Sequence, residues 1–304
     1  MTRRYTTMDV FTDRIFGGNP LAVVFDAAGL GGAQMQAIAK EFNYSETTFV
    51  FPAQEPGHTA RVRIFTACTE VPFAGHPNVG TAVALARELD RSGRRPEDEF
   101  VFEELAGQVR VRLHRENRAV TGAEITAPQG LSIGSAVTAA AAAECLSLAE
   151  PDIVVAHHPP QLISVGLAFL AVELATRDAL GRARPNLAAH ARVLPGIGTD
   201  GVFAYFREDT HGPLHARMFA PLDATIEDPA TGSAAAATFA LLAGLRPLPD
   251  EDRSWRLEQG VDMGRPSVIH GRTEKRRGVV TAVHIFGRAV PVMEGYLHLP
   301  GEGE

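Results

Sequence analysis

Cysteine is scarce. The 304 residues hold two, Cys68 and Cys145. That is too few for a disulfide framework or a zinc site, and it suits a reducing compartment. Lysine is just as rare. Of 29 basic residues only Lys40 and Lys275 are lysines, and the rest are arginines, which stay protonated and cannot form Schiff bases. Lys40 falls in a helix-like run and Lys275 in the charged turn 273–278. Neither reads as desolvated, which argues against pyridoxal phosphate or any Schiff-base chemistry. Positive charge is short overall. The net charge of −7 argues against a nucleic-acid partner, which wants a basic face.

Long apolar runs are missing too. No stretch reaches about 18 apolar residues without a charge or a turn former, so no membrane span is expected. No apolar run follows Arg3 and Arg4, so no signal peptide is expected, and the chain reads as a cytoplasmic protein. Neither a Gly-x-Ser-x-Gly motif nor a phosphate-binding loop occurs. The one faint dinucleotide-like turn, at Gly29 to Gly32, has Gln34 where its third glycine belongs. His157 and His158 precede two prolines with no carboxylate at ligand spacing, and read as a surface loop. Cys68 reads as a small buried residue.

What remains is an ordinary globular composition, 45% hydrophobic and 21% charged, at a length that usually divides into two domains. Strand character is expected at 21–25, 47–51, 60–66, 161–165 and 169–174, and a helix at 33–42. An apolar helix should follow Gly75-His-Pro77, where the proline suits a first helical turn, and a second should cover 234–243. An alanine-rich helix is expected over about 136–149. Near Ala127 the composition shifts. That predicts domains at 1–127 and 128–304, with the last strand free to return to the first half.

The two halves look related. His76-Pro-Asn-Val-Gly-Thr-Ala82 aligns with Asp228-Pro-Ala-Thr-Gly-Ser-Ala234, and Arg63-Ile-Phe65 with Arg217-Met-Phe219, at offsets of 152 and 154 residues. Two matches in one order, each before an apolar helix, suggest duplication. The plainer alternative is two unrelated buried helices that each need Pro and Gly at the start. Under duplication each half wraps strands around a central helix whose N-terminus carries free N–H groups and the positive end of the dipole. If both N-termini point into one interdomain cleft, that cleft suits a small carboxylate or a developing enolate.

Three polar groups stand out at these points. Glu46 is a charged residue at the head of an apolar strand, a place where a solvated strand-end glutamate is equally at home. His76 and Asp228 occupy equivalent positions at the two helix starts. Asp228 has an ordinary reading as an N-cap. A cationic imidazole is disfavoured at a helix N-terminus, so His76 is expected neutral there.

These residues resemble a known family, the PhzF-like proteins of phenazine biosynthesis, relatives of diaminopimelate epimerase. The blocks that carry the resemblance are Gly18-Asn-Pro-Leu-Ala-Val-Val24, Asn43-Tyr-Ser-Glu-Thr-Thr-Phe-Val50, Phe73-Ala-Gly-His-Pro77 with Gly80-Thr-Ala82, Glu227-Asp-Pro-Ala-Thr-Gly-Ser-Ala234 and Glu258-Gln-Gly-Val-Asp-Met-Gly-Arg-Pro-Ser267. They run in the family's order over nearly the whole chain.

The resemblance implies an α+β fold of two pseudo-symmetric domains, each a mixed β-barrel wrapped around a central helix, and usually a homodimer. It implies catalysis without metal or organic cofactor. The namesake reaction isomerises trans-2,3-dihydro-3-hydroxyanthranilate. The residue matching Glu46 takes the proton and returns it, those matching His76 and Asp228 hold and polarise the substrate, and the Gly232-Ser233 turn binds its carboxylate. Asn19, Gly75, Gly80 and Thr81 complete the expected substrate-binding set. One carboxylate can serve as base and then acid if burial lifts its pKa toward neutrality. Family epimerases use two thiols at the helix entrances, where this chain has Gly75-His76 and Glu227-Asp228. Two positions depart from the family pattern. Tyr44 stands where a small aliphatic residue is common, and Asn78 where an apolar or hydroxyl residue is more usual.

Overall fold

Along 107–116, Val109, Val111 and Leu113 are buried while Arg110 and Arg112 between them face solvent. That alternation is the signature of a strand with one face on a core, and most strands here repeat it. The computed structural model describes residues 2–223 and 225–299. The chain divides into two units, Met1–Ile125 with Phe286–Glu304, and Thr126–Ile285.

The first unit runs β1 (Thr2–Val10), β2 (Asn19–Val24), α1 (Gly32–Phe42), β3 (Glu46–Phe51), β4 (Ala60–Phe65), β5 (Glu70–Val71), α2 (Gly75–Arg91), β6 (Glu99–Glu104), β7 (Gly107–Glu116) and β8 (Ala119–Thr126). The second runs β9 (Ser132–Ala136), α3 (Ala139–Cys145), β10 (Gln161–Ser164), β11 (Ala168–Glu173), α4 (Arg177–Arg182), α5 (Leu187–Val193), β12 (Val202–Arg207), β13 (Leu214–Ala220), β14 (Thr225–Asp228), α6 (Gly232–Gly244), β15 (Glu251–Gln259) and β16 (Ser267–Arg276). Strand β17 (Val279–His298) begins in the second unit and ends in the first.

The first unit is a closed mixed barrel. Strand β1 pairs antiparallel with β2, β2 parallel with β3, β3 antiparallel with β4, and β4 parallel with β6. Antiparallel pairing continues to β7 and β8, and β17 closes the ring between β8 and β1. The second unit repeats the order around α6. There β10 pairs antiparallel with β11, β11 parallel with β12, β12 antiparallel with β13, and β13 parallel with β15. The short β5 and β14 hang antiparallel on β4 and β13 at matching places. The fold is therefore α+β, two pseudo-symmetric mixed barrels each wrapped around a central helix.

Both central helices are buried over the stretches that offer no polar face. In α6 every residue from Ala234 to Ala243 is buried, and in α2 burial runs from Gly75 to Ala84 before charged residues take over. Gly80 lets α2 approach the wall, since a Cβ there would lie 2.5 Å from Leu21 Cδ2 and 2.7 Å from Val10 Cγ2. No helix among the described residues is long and apolar enough to cross a membrane.

Several expectations are corrected. The alanine-rich helix is α3 alone. Strand β9 takes residue 136, Thr138 caps the helix by accepting from the Ala141 N–H, and Ser147 in a left-handed conformation follows its end. Cys68 is exposed, in a turn held by Thr66 Oγ1, which accepts from the N–H groups of Cys68 and Thr69. Lys275 is buried. It lies on the inward face of β16, and Nζ donates to the Ala243, Gly244 and Arg246 carbonyls at 3.0, 3.3 and 2.7 Å, capping the C-terminus of α6. His158 is buried too, with Nε2 2.7 Å from the Tyr205 hydroxyl.

Candidate active site

Residues of one continuous frame position the polar groups of the first unit. The parallel pairing of β2 and β3 sets Leu21 opposite Glu46, so Glu46 heads β3 one residue from Pro20 on the neighbouring strand. His76 is the second residue of α2. Its imidazole is buried and hydrogen-bonded to the Pro20 carbonyl, and Nε2 lies 3.5 Å from Glu46 Oε2. Burial pushes the imidazole down to about 3, against the raising effect of the Pro20 carbonyl, so the ring is neutral at physiological pH. A neutral ring that donates through one nitrogen presents a lone pair on the other. His76 can then accept from the acid form of Glu46, and Glu46 as the carboxylate can take a proton from a carbon acid.

The start of α2 supports this chemistry. Its N-cap is Ala74, whose methyl cannot accept a hydrogen bond, so the helix's first N–H groups receive no side-chain cap. Asn19 opens β2 beside Pro20 and is fully buried, and Gly75 is the first residue of α2. Gly80 and Thr81 lie deeper. Gly80 packs on Leu21 and Val10, and the Thr81 hydroxyl is 2.8 Å from that of Thr48. The structure thus gathers Glu46, His76, Asn19 and Gly75 at one end of α2, and sets Gly80 and Thr81 within its second turn.

In the second unit side chains bond one another just ahead of α6, whose first N–H groups, like those of α2, receive no side-chain cap. Asp228 ends β14, and its Oδ2 accepts from the Thr231 hydroxyl at 2.5 Å. Gln259 Nε2 donates to the Asp228 carbonyl at 2.8 Å and to Thr231 Oγ1 at 3.0 Å, and its Oε1 accepts from the Thr231 N–H at 3.1 Å. Gly260 makes this approach possible. It has φ of 73°, and a Cβ there would meet the Pro229 carbonyl oxygen at 2.7 Å. Asp228 is not the N-cap, as its ordinary reading had it. The N-cap is Thr231, and Gly232 and Ser233 open the helix. His76 and Asp228 align in sequence, yet one lies inside a helix and the other at a strand end.

Each unit carries the same clamp ahead of its helix. Arg63 on β4 grips Glu70 through Nε and Nη2, both at 2.6 Å, and lies over the Phe65 ring at 5.2 Å. Arg217 on β13 grips Glu227 through Nε and Nη2, both at 2.7 Å, and lies over Phe219 at 4.8 Å. Arg217 also donates to the Leu180, Gly181 and Ala183 carbonyls. The shared Arg-x-Phe block thus has the same physical job in both halves, which favours duplication over coincidence.

Sequence reasoning missed Gln259, although it stands in one of the matched blocks. It also missed a cluster around the buried Glu173 in the second unit. There Glu173 accepts from Arg207 Nε at 2.8 Å and from the Tyr205 hydroxyl at 3.3 Å, and lies 3.0 Å from His157 Nδ1. No local spacing could have found it, because its members come from three separate segments. Among the described residues no group of three or more His, Cys, Asp and Glu side chains is arranged to hold a metal ion.

Comparison with known proteins settles the family. The model of the family described as phenazine biosynthesis-like protein, PhzC-PhzF, matches residues 8–295. The chain belongs to this family. A trans-2,3-dihydro-3-hydroxyanthranilate isomerase of Pseudomonas aeruginosa is 34% identical to this member, over 97% of the chain and 99% of the relative. An uncharacterized isomerase of Mesorhizobium japonicum is 40% identical over 98% and 99%. Among solved structures, a phenazine biosynthesis protein of the PhzF family from Bacillus anthracis superposes with a TM-score of 0.86 at 26% identity, over 98% of this chain and 100% of that one. A predicted epimerase of Pseudomonas aeruginosa gives 0.79 at 32% identity over the same shares. This PhzC-PhzF family member is an isomerase.

Proposed function

We propose that the protein is a cofactor-independent isomerase that moves a proton within a small cyclic carboxylate resembling trans-2,3-dihydro-3-hydroxyanthranilate. The observation that carries this reading is the Glu46–His76 pair, a carboxyl 3.5 Å from the free lone pair of a buried, neutral imidazole. Glu46 as the carboxylate takes a proton from a ring carbon, and the electron pair of the broken C–H bond delocalises toward the substrate carboxylate. Glu46 then returns the same proton to a different ring carbon. One C–H bond breaks and one forms, so no oxidant or reductant is needed. His76 accepts a hydrogen bond from the acid form of Glu46 between the two steps. Asp228 holds a polar group of the substrate, and the first N–H groups of α6, at Gly232 and Ser233, bind its carboxylate, where the helix dipole favours negative charge.

The cysteines support a carboxylate mechanism over a two-thiol one. Burial pushes the Cys145 thiol up to about 11, with Glu144 adding to the rise, and Cys68 belongs to an exposed turn. The proposal includes a cytoplasmic homodimer, which sedimentation equilibrium on the purified protein tests. The reaction itself is tested in deuterated water with trans-2,3-dihydro-3-hydroxyanthranilate. Wild type should rearrange the ring, and Glu46→Gln should bind the compound without turning it over. Full activity in Glu46→Gln removes Glu46 from the mechanism. Hydrogen exchange without rearrangement moves the assignment to epimerisation of another carboxylate.

A further inference from the structure

Glu104 ends β6 on the face that Phe100 and Phe102 bury. Both its carboxyl oxygens are sealed from solvent, and neither makes a well-formed hydrogen bond among the described residues. Its neighbour is Asn78, fully buried in the first turn of α2 two residues after His76. Asn78 Nδ2 donates to the Ala74 carbonyl at 3.0 Å, while its Oδ1 receives no hydrogen bond. The hairpin beyond Glu104 is tied to the same segment, since the Ala106 N–H donates to the Pro72 carbonyl at 3.1 Å.

Charged groups on the surrounding elements are engaged elsewhere. Glu103 accepts from the backbone of Gln54 and Glu55 and faces His58. Glu70 on β5 belongs to Arg63, Arg61 on β4 covers the Phe51 ring, and His114 on β7 lies against Phe286. On α2, His76 faces Glu46. Burial therefore dominates at Glu104 and pushes its carboxyl up to about 8, with Asn78 pulling the other way.

Among the described residues the two carboxyl oxygens and Asn78 Oδ1 have no well-formed partner, and the side-chain group that reaches the carboxyl is the Asn78 carboxamide. A proton on Glu104 supplies Oδ1 with a donor and leaves the acid's other oxygen to the Asn78 amide. We propose that Glu104 is a positioning residue, carried as the neutral acid and paired with the Asn78 carboxamide, with its O–H donated to Oδ1, so that it fixes the turn bearing His76. Ionisation removes the donor, sets a carboxylate against Oδ1 and loosens the turn. Glu104 touches no reacting atom and acts through Asn78. Only the kinetic arm of the test below rests on the proposed proton transfer; the spectroscopic arms do not.

The experiment is a pH titration of the whole protein from 5 to 9, followed by the His76 ring resonances in labelled histidine and by the carboxyl infrared band. In wild type a protonated carboxyl that is missing in Glu104→Gln should titrate near the alkaline end. The His76 resonances should move with it, and in Glu104→Gln, whose amide still donates to Oδ1, they should stand still. Asn78→Ala should keep the carboxyl titration and lose its echo at His76. In the kinetic arm, proton transfer in wild type should fall as the pH rises past about 8, and Glu104→Gln should abolish that fall while keeping the rate at pH 6. A Glu104 already ionised at pH 6, or His76 resonances blind to its titration, overturns the proposal. If no turnover is found with any substrate but the resonances respond as stated, the positioning role stands and the proton-transfer reading falls.

Discussion

The two central helices start differently, although the strands leading to them are copies. Ahead of α6 the polar side chains are tied together, because Asp228, Thr231 and Gln259 satisfy one another and Gly260 draws Gln259 close, while the first N–H groups of the helix stay uncapped. At the start of α2 the polar groups are held more loosely: a neutral His76 keeps a lone pair facing Glu46, and Asn78 Oδ1 depends on a proton carried by Glu104. A proton can be held and released where such groups are left under-satisfied. Where they are tied together, a polar group is held still for binding. Duplication kept the frame, Arg-x-Phe with its clamped glutamate, and the polar content at the helix starts diverged.

The sharpest way to break that contrast is kinetic. Glu46→Gln should lower kcat by about 10²–10⁴-fold with little change in KM, the range expected for loss of a general acid–base group. Asp228→Asn should chiefly raise KM. Proton-transfer assays under single-turnover conditions check both, and equal kcat losses would put proton handling in both units.

The next test concerns the clamps. Arg217 is almost fully buried and holds Glu227 plus three carbonyls, so Arg217→Met should cost about 3–5 kcal/mol by leaving a half-buried carboxylate without its partner. Arg63 is more exposed and holds Glu70 alone, so Arg63→Met should cost about 1 kcal/mol. Urea unfolding of each variant measures the difference. Lys275→Met follows in size at about 2–3 kcal/mol, since it strips three carbonyls at the α6 C-terminus of a charged donor.

The smallest effect is in acid. The Arg91 hydrogen bond, aided by Arg4, holds Glu294 down at about 2, against an opposing desolvation. A carboxyl depressed by folding adds stability that is fully present above its ordinary value of 4.5 and is lost as pH falls toward 2. The melting temperature of wild type should therefore drop faster than that of Arg91→Ala across this window. Glu104 has the opposite sign. Its carboxyl is raised by folding, so its contribution weakens as pH climbs from 4.5 to about 8.

Much of this was legible in the sequence, where the signal is local. The apolar helices carry their Pro and Gly at the start, and short motifs mark Glu46, His76 and Asp228. What escaped did so for two reasons. Lys275 and Glu104 sit among charged neighbours, and composition alone reads such segments as exposed. Strand alternation reads them correctly, since Ile269, Gly271 and Thr273 lead inward to Lys275, and Phe100 and Phe102 lead to Glu104. The Glu173 cluster and the Gln259 bridge join segments far apart in the chain, and no spacing rule reaches that far.

Strand β17 has a consequence for synthesis. The second barrel is built from one uninterrupted stretch, 126–285, whereas the first lacks a stave until residues 286–298 pair with β1. On the ribosome the half made earliest is therefore the last to seal. Its apolar axle α2 has an incomplete wall while some 160 further residues are translated. The half made later can finish first, and closure of the earlier one is postponed until the tail of the chain emerges.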